Sequence, residues 1–167
     1  MQSDKIRVAV VFGGKSGEHE VSLASARSVM AAMDKEKYEV FPIGITKSGR
    51  WLTAGDPLAL LTDGDNGAQA ATAAEEQPSA AERALTPSGE RELIPGAQAG
   101  RFPAVDVVFP VLHGTYGEDG SVQGLLELAD LPYVGAGILG STLGMDKTAM
   151  KYVLQANDLP VVDYYAL

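Results

Sequence analysis

The fold of this chain is decided by the stretch Ile6-Arg7-Val8-Ala9-Val10-Val11-Phe12-Gly13-Gly14-Lys15-Ser16-Gly17-Glu18-His19-Glu20-Val21-Ser22. Its first part, Ile6–Phe12, is a valine-rich apolar run, which is typical of a strand buried on both faces of a parallel sheet. Glycines then turn the chain into a helix, for which we expect Ser22 to be the N-cap and His19 to be exposed. Residues at helical spacing form the apolar face of that helix: Leu23, Ala26, Val29, Met30 and Met33.

The turn between this strand and helix carries two carboxylates, Glu18 and Glu20. Such turns usually hold an anion against backbone N–H groups and the positive end of the helix dipole. A phosphate beside these carboxylates would be repelled by ~4 kcal/mol per charge pair at about 4 Å and an effective dielectric of about 20. The turn therefore favours a cationic group, such as the ammonium of an amino acid. A nucleotide-binding oxidoreductase is disfavoured further, because Phe12-Gly13-Gly14-Lys15 replaces its G-x-G-x-x-G turn.

The composition narrows the class of protein. The chain has 167 residues, enough for one domain, and 46% of them are hydrophobic. The net charge of −9 argues against nucleic acid and anionic membranes as partners. The sequence contains no cysteine, which excludes disulfides and thiol chemistry. Its first apolar run is too short to span a membrane, so we expect a cytoplasmic protein.

The remaining pattern predicts an α/β fold with an open, mainly parallel, Rossmann-like sheet and flanking helices. We expect a helix from Asp119 or Ser121 and another over Ser141–Asn157, the latter buried through Leu143, Met150, Val153 and Leu154. The last run, Pro160–Leu167, resembles a strand that has just begun, so we expect a longer protein. The other expected strands are Tyr38–Thr46, Trp51–Leu52, Val105–Leu112 and Pro132–Gly135.

Residues 54–104 differ from the rest of the chain. They are rich in Ala, Gly, Pro and Gln and contain 8 acidic against 3 basic residues. Such a composition buries too little apolar surface to offset chain entropy. We interpret the segment as a partly mobile, non-catalytic insertion, with a short docked turn at Leu58–Leu61 and a short strand at Glu92–Ile94.

Three loops are expected to converge at the carboxyl edge of the sheet, where open α/β folds bind ligands. Glu18 follows the strand Ile6–Phe12, His113 follows the strand Val105–Leu112, and the loop Gly135–Gly140 follows the short strand Pro132–Gly135. Glu18 alone has a plainer interpretation as a dipole-compensating carboxylate, and His113 as a structural histidine. We interpret Glu20 as structural, and Glu118 and Asp119 as loop and cap residues. No metal ligand is assigned in this chain.

Three motifs carry a close resemblance to D-alanine–D-alanine ligases: Phe12–Ser22, His113–Gly124 and Met145–Lys147. The resemblance extends over residues 5–53 and 103–167. It implies an N-terminal, pre-ATP-grasp substrate-binding domain at 1–140, which contains the insertion 54–104. It further implies that 141–167 begins an ATP-grasp domain.

The resemblance also implies a mechanism. ATP phosphorylates the carboxylate of a first D-alanine, and the amine of a second D-alanine attacks the acyl phosphate, which yields a peptidoglycan precursor. Glu18 and His113 would be catalytic and would bind the first D-alanine, with the backbone at Val21 forming a wall. Lys147 would contact the ATP phosphates, and the Mg²⁺ ligands would lie beyond Leu167. A homodimer through the N-terminal domain is implied, and the chain alone is expected to be inactive.

Two other functions stay open at the level of sequence. The second substrate of such a ligase could be D-lactate or D-serine. The chain could instead be an amino-acid-binding module without chemistry, although Lys147 would then have no role.

Overall fold

A computed structural model describes residues 5–53, 55–62, 86–88, 92–94 and 105–165 of the chain. Its strands are β1 (Ile6–Gly13), β2 (Tyr38–Ile45), β3 (Trp51–Leu52), β4 (Thr86–Ser88), β5 (Glu92–Ile94) and β6 (Val107–Pro110). Its helices are α1 (His19–Ala32), α2 (Pro57–Thr62), α3 (Ser121–Leu128), α4 (Ile138–Met145) and α5 (Lys147–Ala156).

The main sheet has four strands in the order β3-β2-β1-β6. The central strand β1 runs parallel to β2 on one side and to β6 on the other, while β3 returns antiparallel to β2. This confirms the expected open, mainly parallel α/β sheet with flanking helices. The strands β4 and β5 form a separate antiparallel pair, of which the sequence indicated only Glu92–Ile94.

Strand β1 is buried on both faces, as its unbroken apolar run predicted. Ala9 and Val11 face a cluster that includes Leu126 of α3. Val10 and Phe12 face the opposite cluster, which includes Leu23 of α1. Because successive side chains point to opposite faces, one short strand supports two hydrophobic layers. The carboxyl end of β1 is thereby held in the middle of the sheet.

Ser22 does not cap α1. The helix begins three residues earlier, at His19, and Glu18 occupies the N-cap position without a side-chain cap bond. Ser22 is fully buried, accepts a hydrogen bond from the Gly13 N–H at 2.8 Å and donates to the carbonyl of Val111. The hydroxyl thus joins α1 to the ends of β1 and β6, because both strand ends present backbone groups that need a partner.

The C-terminal part corrects several sequence predictions. The expected strand Val105–Leu112 is limited to β6, Val107–Pro110, and the expected strand Pro132–Gly135 is reduced to one bridge between Val108 and Tyr133. No strand forms over the described part of Pro160–Leu167. A single residue, Asp146, interrupts the expected long helix.

The interruption has a local cause. The Asp146 side chain accepts hydrogen bonds from the N–H groups of Thr148 and Ala149 and so caps α5. The expected burial of Leu143, Met150, Val153 and Leu154 is wrong. Leu143 is half-buried and α5 contains no buried residue, because in the described part of the chain α5 packs mainly against α4.

The docked turn predicted near Leu58–Leu61 is present as α2. Pro57 is buried, and a β-carbon added at Gly44 of β2 would lie 2.8 Å from Leu61 Cδ1. The insertion 54–104 is expected to be partly mobile, but its residues 54, 63–85, 89–91 and 95–104 lie outside the described residues. None of the helices in the described ranges has the length and apolar character to cross a membrane.

Candidate functional site

The loops after β1 and β6 meet because the two strands end side by side. Val11 is paired with Pro110, and the Val111 N–H donates to the Val11 carbonyl at 2.7 Å. Gly13 has a φ of 89°, and a β-carbon there would overlap the carbonyl of Ile45. Only glycine therefore fits where the chain leaves β1 and turns towards α1.

Ser16 connects the two loops. Its hydroxyl donates to the His113 carbonyl at 2.6 Å and accepts the N–H of Glu18 at 3.3 Å. Glu18 and His113, which are 95 positions apart in the sequence, are thus bound to one hydroxyl through their backbones. The expected convergence of these two residues is present in the structure.

The Glu18 side chain is exposed and lies against the backbone of the second loop. A β-carbon at Gly114 would stand 2.8 Å from Glu18 Oε2. Among the described residues this carboxylate has no ion-pair partner. It is a negative charge at the edge of the sheet that is open to a cationic ligand.

The His113 side chain is half-buried, and its Nε2 lies 3.0 Å from the Ser25 hydroxyl on α1. Sequence reasoning missed Ser25. The available signal was a pair of serines, Ser22 and Ser25, at i and i+3 beside the apolar face of a helix. In the structure both serines bind the segment that follows β6.

The acidic residues of the second loop hold the loop itself. Glu118 accepts the Gly114 N–H at 2.7 Å, and Asp119 accepts the N–H groups of Tyr116 at 2.8 Å and Ser121 at 3.0 Å. Burial alone would raise the pKa of Asp119, but these N–H groups outweigh it and lower the pKa below its usual value. Their interpretation as loop residues is confirmed. The N-cap of α3, however, is Gly120 in a left-handed conformation.

The three residues that follow Glu18 differ in their burial and in their contacts. His19 is buried rather than exposed, because its Nδ1 lies 2.7 Å from the carbonyl of Gly14 and closes the glycine turn. Glu20 pairs with Lys47 at 2.9 Å, which lowers the pKa of Glu20 and confirms a structural role. Val21, in the first turn of α1, remains 53% exposed and so leaves an apolar surface beside the loop.

The third loop borders the His113 loop, and Lys147 begins the helix after α4. The Thr142 hydroxyl of α4 donates to the Asp119 carbonyl at 2.9 Å, so the Gly135–Gly140 segment adjoins the far end of the His113 loop. Lys147 is exposed as the first residue of α5. The contacts within the described ranges join Lys147 to neither Glu18 nor His113.

Metal-binding groups and cavities among the described residues bear on which ligands the site can hold. Within the described ranges, no group of three His, Asp or Glu side chains is placed to hold a metal. Two surface cavities of about 360 and 530 Å³ contain neither Glu18 nor His113. The candidate site is instead a surface that presents the Glu18 carboxylate, the His113 imidazole and the apolar side chain of Val21.

Comparisons with known proteins identify the family of this chain. Residues 7–136 match the model of the family described as D-ala D-ala ligase N-terminus. The chain is 47% identical to a D-alanine–D-alanine ligase of Natranaerobius thermophilus and 49% identical to one of Rhodococcus erythropolis. These alignments cover 97% and 96% of this chain but 42% and 44% of the relatives, so the chain spans less than half of their length.

Solved structures give the same result. The fold is similar to a D-alanine–D-alanine ligase from Coxiella burnetii, with a TM-score of 0.76 and 35% identity over 96% of this chain and 43% of that one. It is also similar to the VanG D-Ala:D-Ser ligase from Enterococcus faecalis, with a TM-score of 0.75 and 34% identity over 95% and 44%. The chain belongs to the D-ala D-ala ligase N-terminus family.

Proposed function

We propose that this chain is the substrate-binding N-terminal part of an ATP-dependent ligase that joins two D-alanines through an acyl phosphate for peptidoglycan precursor synthesis. The observation that carries the proposal is the exposed Glu18 carboxylate, which has no ion-pair partner in the described part of the chain and lies against the His113 loop. The names and identities of the relatives support the same activity.

Glu18 binds the ammonium of the first D-alanine. An ammonium–carboxylate hydrogen bond is charge-assisted, and such a bond contributes about 1.5–3 kcal/mol. Val21 provides the apolar wall beside the same amino acid. His113 lies at the carboxylate end of the substrate, where the acyl phosphate forms, and stabilises its negative oxygens by hydrogen bonding.

ATP and Mg²⁺ are the proposed cofactors, and ATP supplies the phosphoryl group that activates the carboxylate. Lys147 offers one phosphate contact. The Asp146 carboxylate already accepts the Thr148 and Ala149 N–H groups, so the start of α5 does not form a complete phosphate site. We place the Mg²⁺ ligands and the main nucleotide contacts outside this chain.

The proposed function implies a division of the chain into domains and an assembly of the full-length enzyme. Residues 1–140 form the substrate-binding domain, and 141–167 begin the ATP-grasp domain. The enzyme would be a cytoplasmic homodimer that associates through the N-terminal domain and binds D-alanine and ATP, but neither nucleic acid nor membrane.

A second candidate differs only in the second substrate. The similarity to the VanG D-Ala:D-Ser ligase favours D-serine as an alternative to the second D-alanine. D-lactate is the corresponding hydroxy-acid alternative. All three candidates share the Glu18 site for the first D-alanine.

The test is an assay of the full-length protein with ATP, Mg²⁺ and D-alanine, in which phosphate release and the dipeptide are both measured. Parallel reactions add D-serine or D-lactate as the second substrate. We expect D-alanyl-D-alanine from the full-length protein and no turnover from residues 1–167. An absence of ATP-dependent product would favour a non-catalytic binding module, and turnover by residues 1–167 would overturn the domain assignment.

A further inference from the structure

The contact between Ser25 and His113 has a chemical consequence for the proposed site. His113 Nε2 lies 3.0 Å from the Ser25 hydroxyl, whereas His113 Nδ1 has no hydrogen-bond partner among the residues that the structure describes. A neutral imidazole has one N–H and one bare nitrogen, and the partner of one nitrogen decides the state of the other. Ser25 therefore controls what Nδ1 presents to a ligand.

The position of Ser25 in the helix leaves its hydroxyl proton available for this hydrogen bond. A helical serine usually donates to the carbonyl four residues earlier, as Ser28 does to Ala24 at 3.1 Å. Ser25 makes no such bond to Val21 in the described structure, so its hydroxyl proton remains available for His113. We propose that Ser25 is a positioning residue that donates to His113 Nε2 and thereby holds the neutral imidazole in the Nδ1–H form.

This inference rests on the proposed function and extends it. The Nδ1–H form donates a hydrogen bond to an anionic oxygen, such as that of a carboxylate or an acyl phosphate, whereas a bare Nδ1 would repel the same oxygen. Ser16 holds the backbone of His113 from the other side, by donating to its carbonyl at 2.6 Å. The ring is therefore fixed in both position and tautomer before any substrate arrives.

The tautomer can be measured without any enzymatic activity. The chain contains 2 histidines, so long-range ¹H–¹⁵N spectra of uniformly labelled residues 1–167 resolve both rings, and a His113→Gln variant assigns them. Above the pH range of imidazole titration, we expect His113 in the Nδ1–H form.

Ser25→Ala should shift the His113 ring towards the Nε2–H form that histidine favours in water, and Ser25→Thr should restore the Nδ1–H form. Ser28→Ala, one turn away and exposed, is the matched control and should change nothing. An Nε2–H form in the wild type, or a tautomer unaffected by Ser25→Ala, would overturn the proposal.

Kinetics of the full-length protein separate this inference from the proposed function. Ser25→Ala should lower kcat by about tenfold, as expected for one lost hydrogen bond, with the KM for ATP unchanged and recovery in Ser25→Thr. Unchanged kcat in Ser25→Ala, together with a large loss in His113→Ala, would overturn the role of Ser25 and leave the proposed function intact. Full turnover in His113→Ala would instead remove His113 from the proposed mechanism.

Discussion

The Glu18 carboxylate and the backbone of Gly114 lie so close together that a β-carbon at position 114 would stand 2.8 Å from Glu18 Oε2. Gly114 also has a φ of 70°, a conformation that other residues rarely adopt. The first residue after His113 is therefore required to be glycine for two independent reasons. One concerns the stability of the loop, and the other concerns the position of the carboxylate.

Gly114→Ala should accordingly reduce both stability and substrate binding. Left-handed backbone strain is expected to lower the free energy of unfolding by about 1–3 kcal/mol, and displacement of Glu18 should raise the KM for the first D-alanine. Gly144→Ala is the matched control, because a β-carbon there meets nothing within 4 Å and replaces a helical glycine. It should stabilise the chain by up to about 1 kcal/mol. Urea denaturation measures the free energy of unfolding of both variants, and steady-state kinetics of the full-length protein measure the KM. Equal effects of the two substitutions would contradict the loop geometry.

Ser22→Ala should destabilise the fold rather than the helix start. The substitution leaves the Gly13 N–H and the Val111 carbonyl buried without their partner, which costs about 1–3 kcal/mol. Ser28→Ala removes an exposed hydroxyl from the same helix and should change the free energy of unfolding by no more than about 0.5 kcal/mol. Chemical denaturation of both variants checks this, and a Ser22→Ala protein as stable as Ser28→Ala would refute the buried role.

Asp119→Asn should alter the dependence of stability on pH. The folded chain lowers the pKa of Asp119, so the resulting stabilisation is present above the ordinary aspartate pKa of about 4 and is lost as the pH falls further. We expect the variant to be less stable than the wild type at neutral pH, with the difference narrowing below pH ~4. Asp163→Asn, at an exposed position, should track the wild type throughout. Thermal unfolding across this pH range is the measurement, and a constant difference for Asp119→Asn would contradict the assignment.

The parts of the fold that the sequence predicted correctly are those that depend on local pattern. The apolar run of β1 specifies a strand that is buried on both faces, and the glycine turn after it indicates that a helix follows. The approach of Glu18 to His113 follows from the rule that ligands bind at the carboxyl ends of parallel strands. That part of the candidate site needed no knowledge of distant contacts.

The errors arise where a residue is defined by a contact in the folded structure rather than by the residues that flank it in the sequence. Ser22 has the chemistry of an N-cap, but the Val111 carbonyl, 89 positions away, makes it a buried link. His19 stands between two glutamates, yet the Gly14 carbonyl draws it inside. Ser25 is another example, because its hydroxyl acquires a role only when the loop after β6 lies next to α1.

The missed helix boundary at Asp146 is a different kind of error, because the sequence signal for that boundary was local. Aspartate is one of the preferred residues at a helix N-cap, and the structure shows that cap in use. The apolar periodicity on both sides led to the prediction of one continuous helix. The capping chemistry separated α4 from α5 despite that periodicity.

The most direct test of the central claim is the steady-state kinetics of Glu18→Gln in the full-length protein, with D-alanine and ATP varied independently. Loss of the charge opposite the ammonium should raise the KM for the first D-alanine by about 10- to 100-fold and leave the KM for ATP near its wild-type value. Glu20→Gln is the matched control, because Glu20 is two residues away and already paired with Lys47, and it should change neither KM appreciably. An effect of Glu18→Gln on the KM for ATP alone, or equal effects of the two substitutions on D-alanine, would contradict the assignment of Glu18 as the ammonium site.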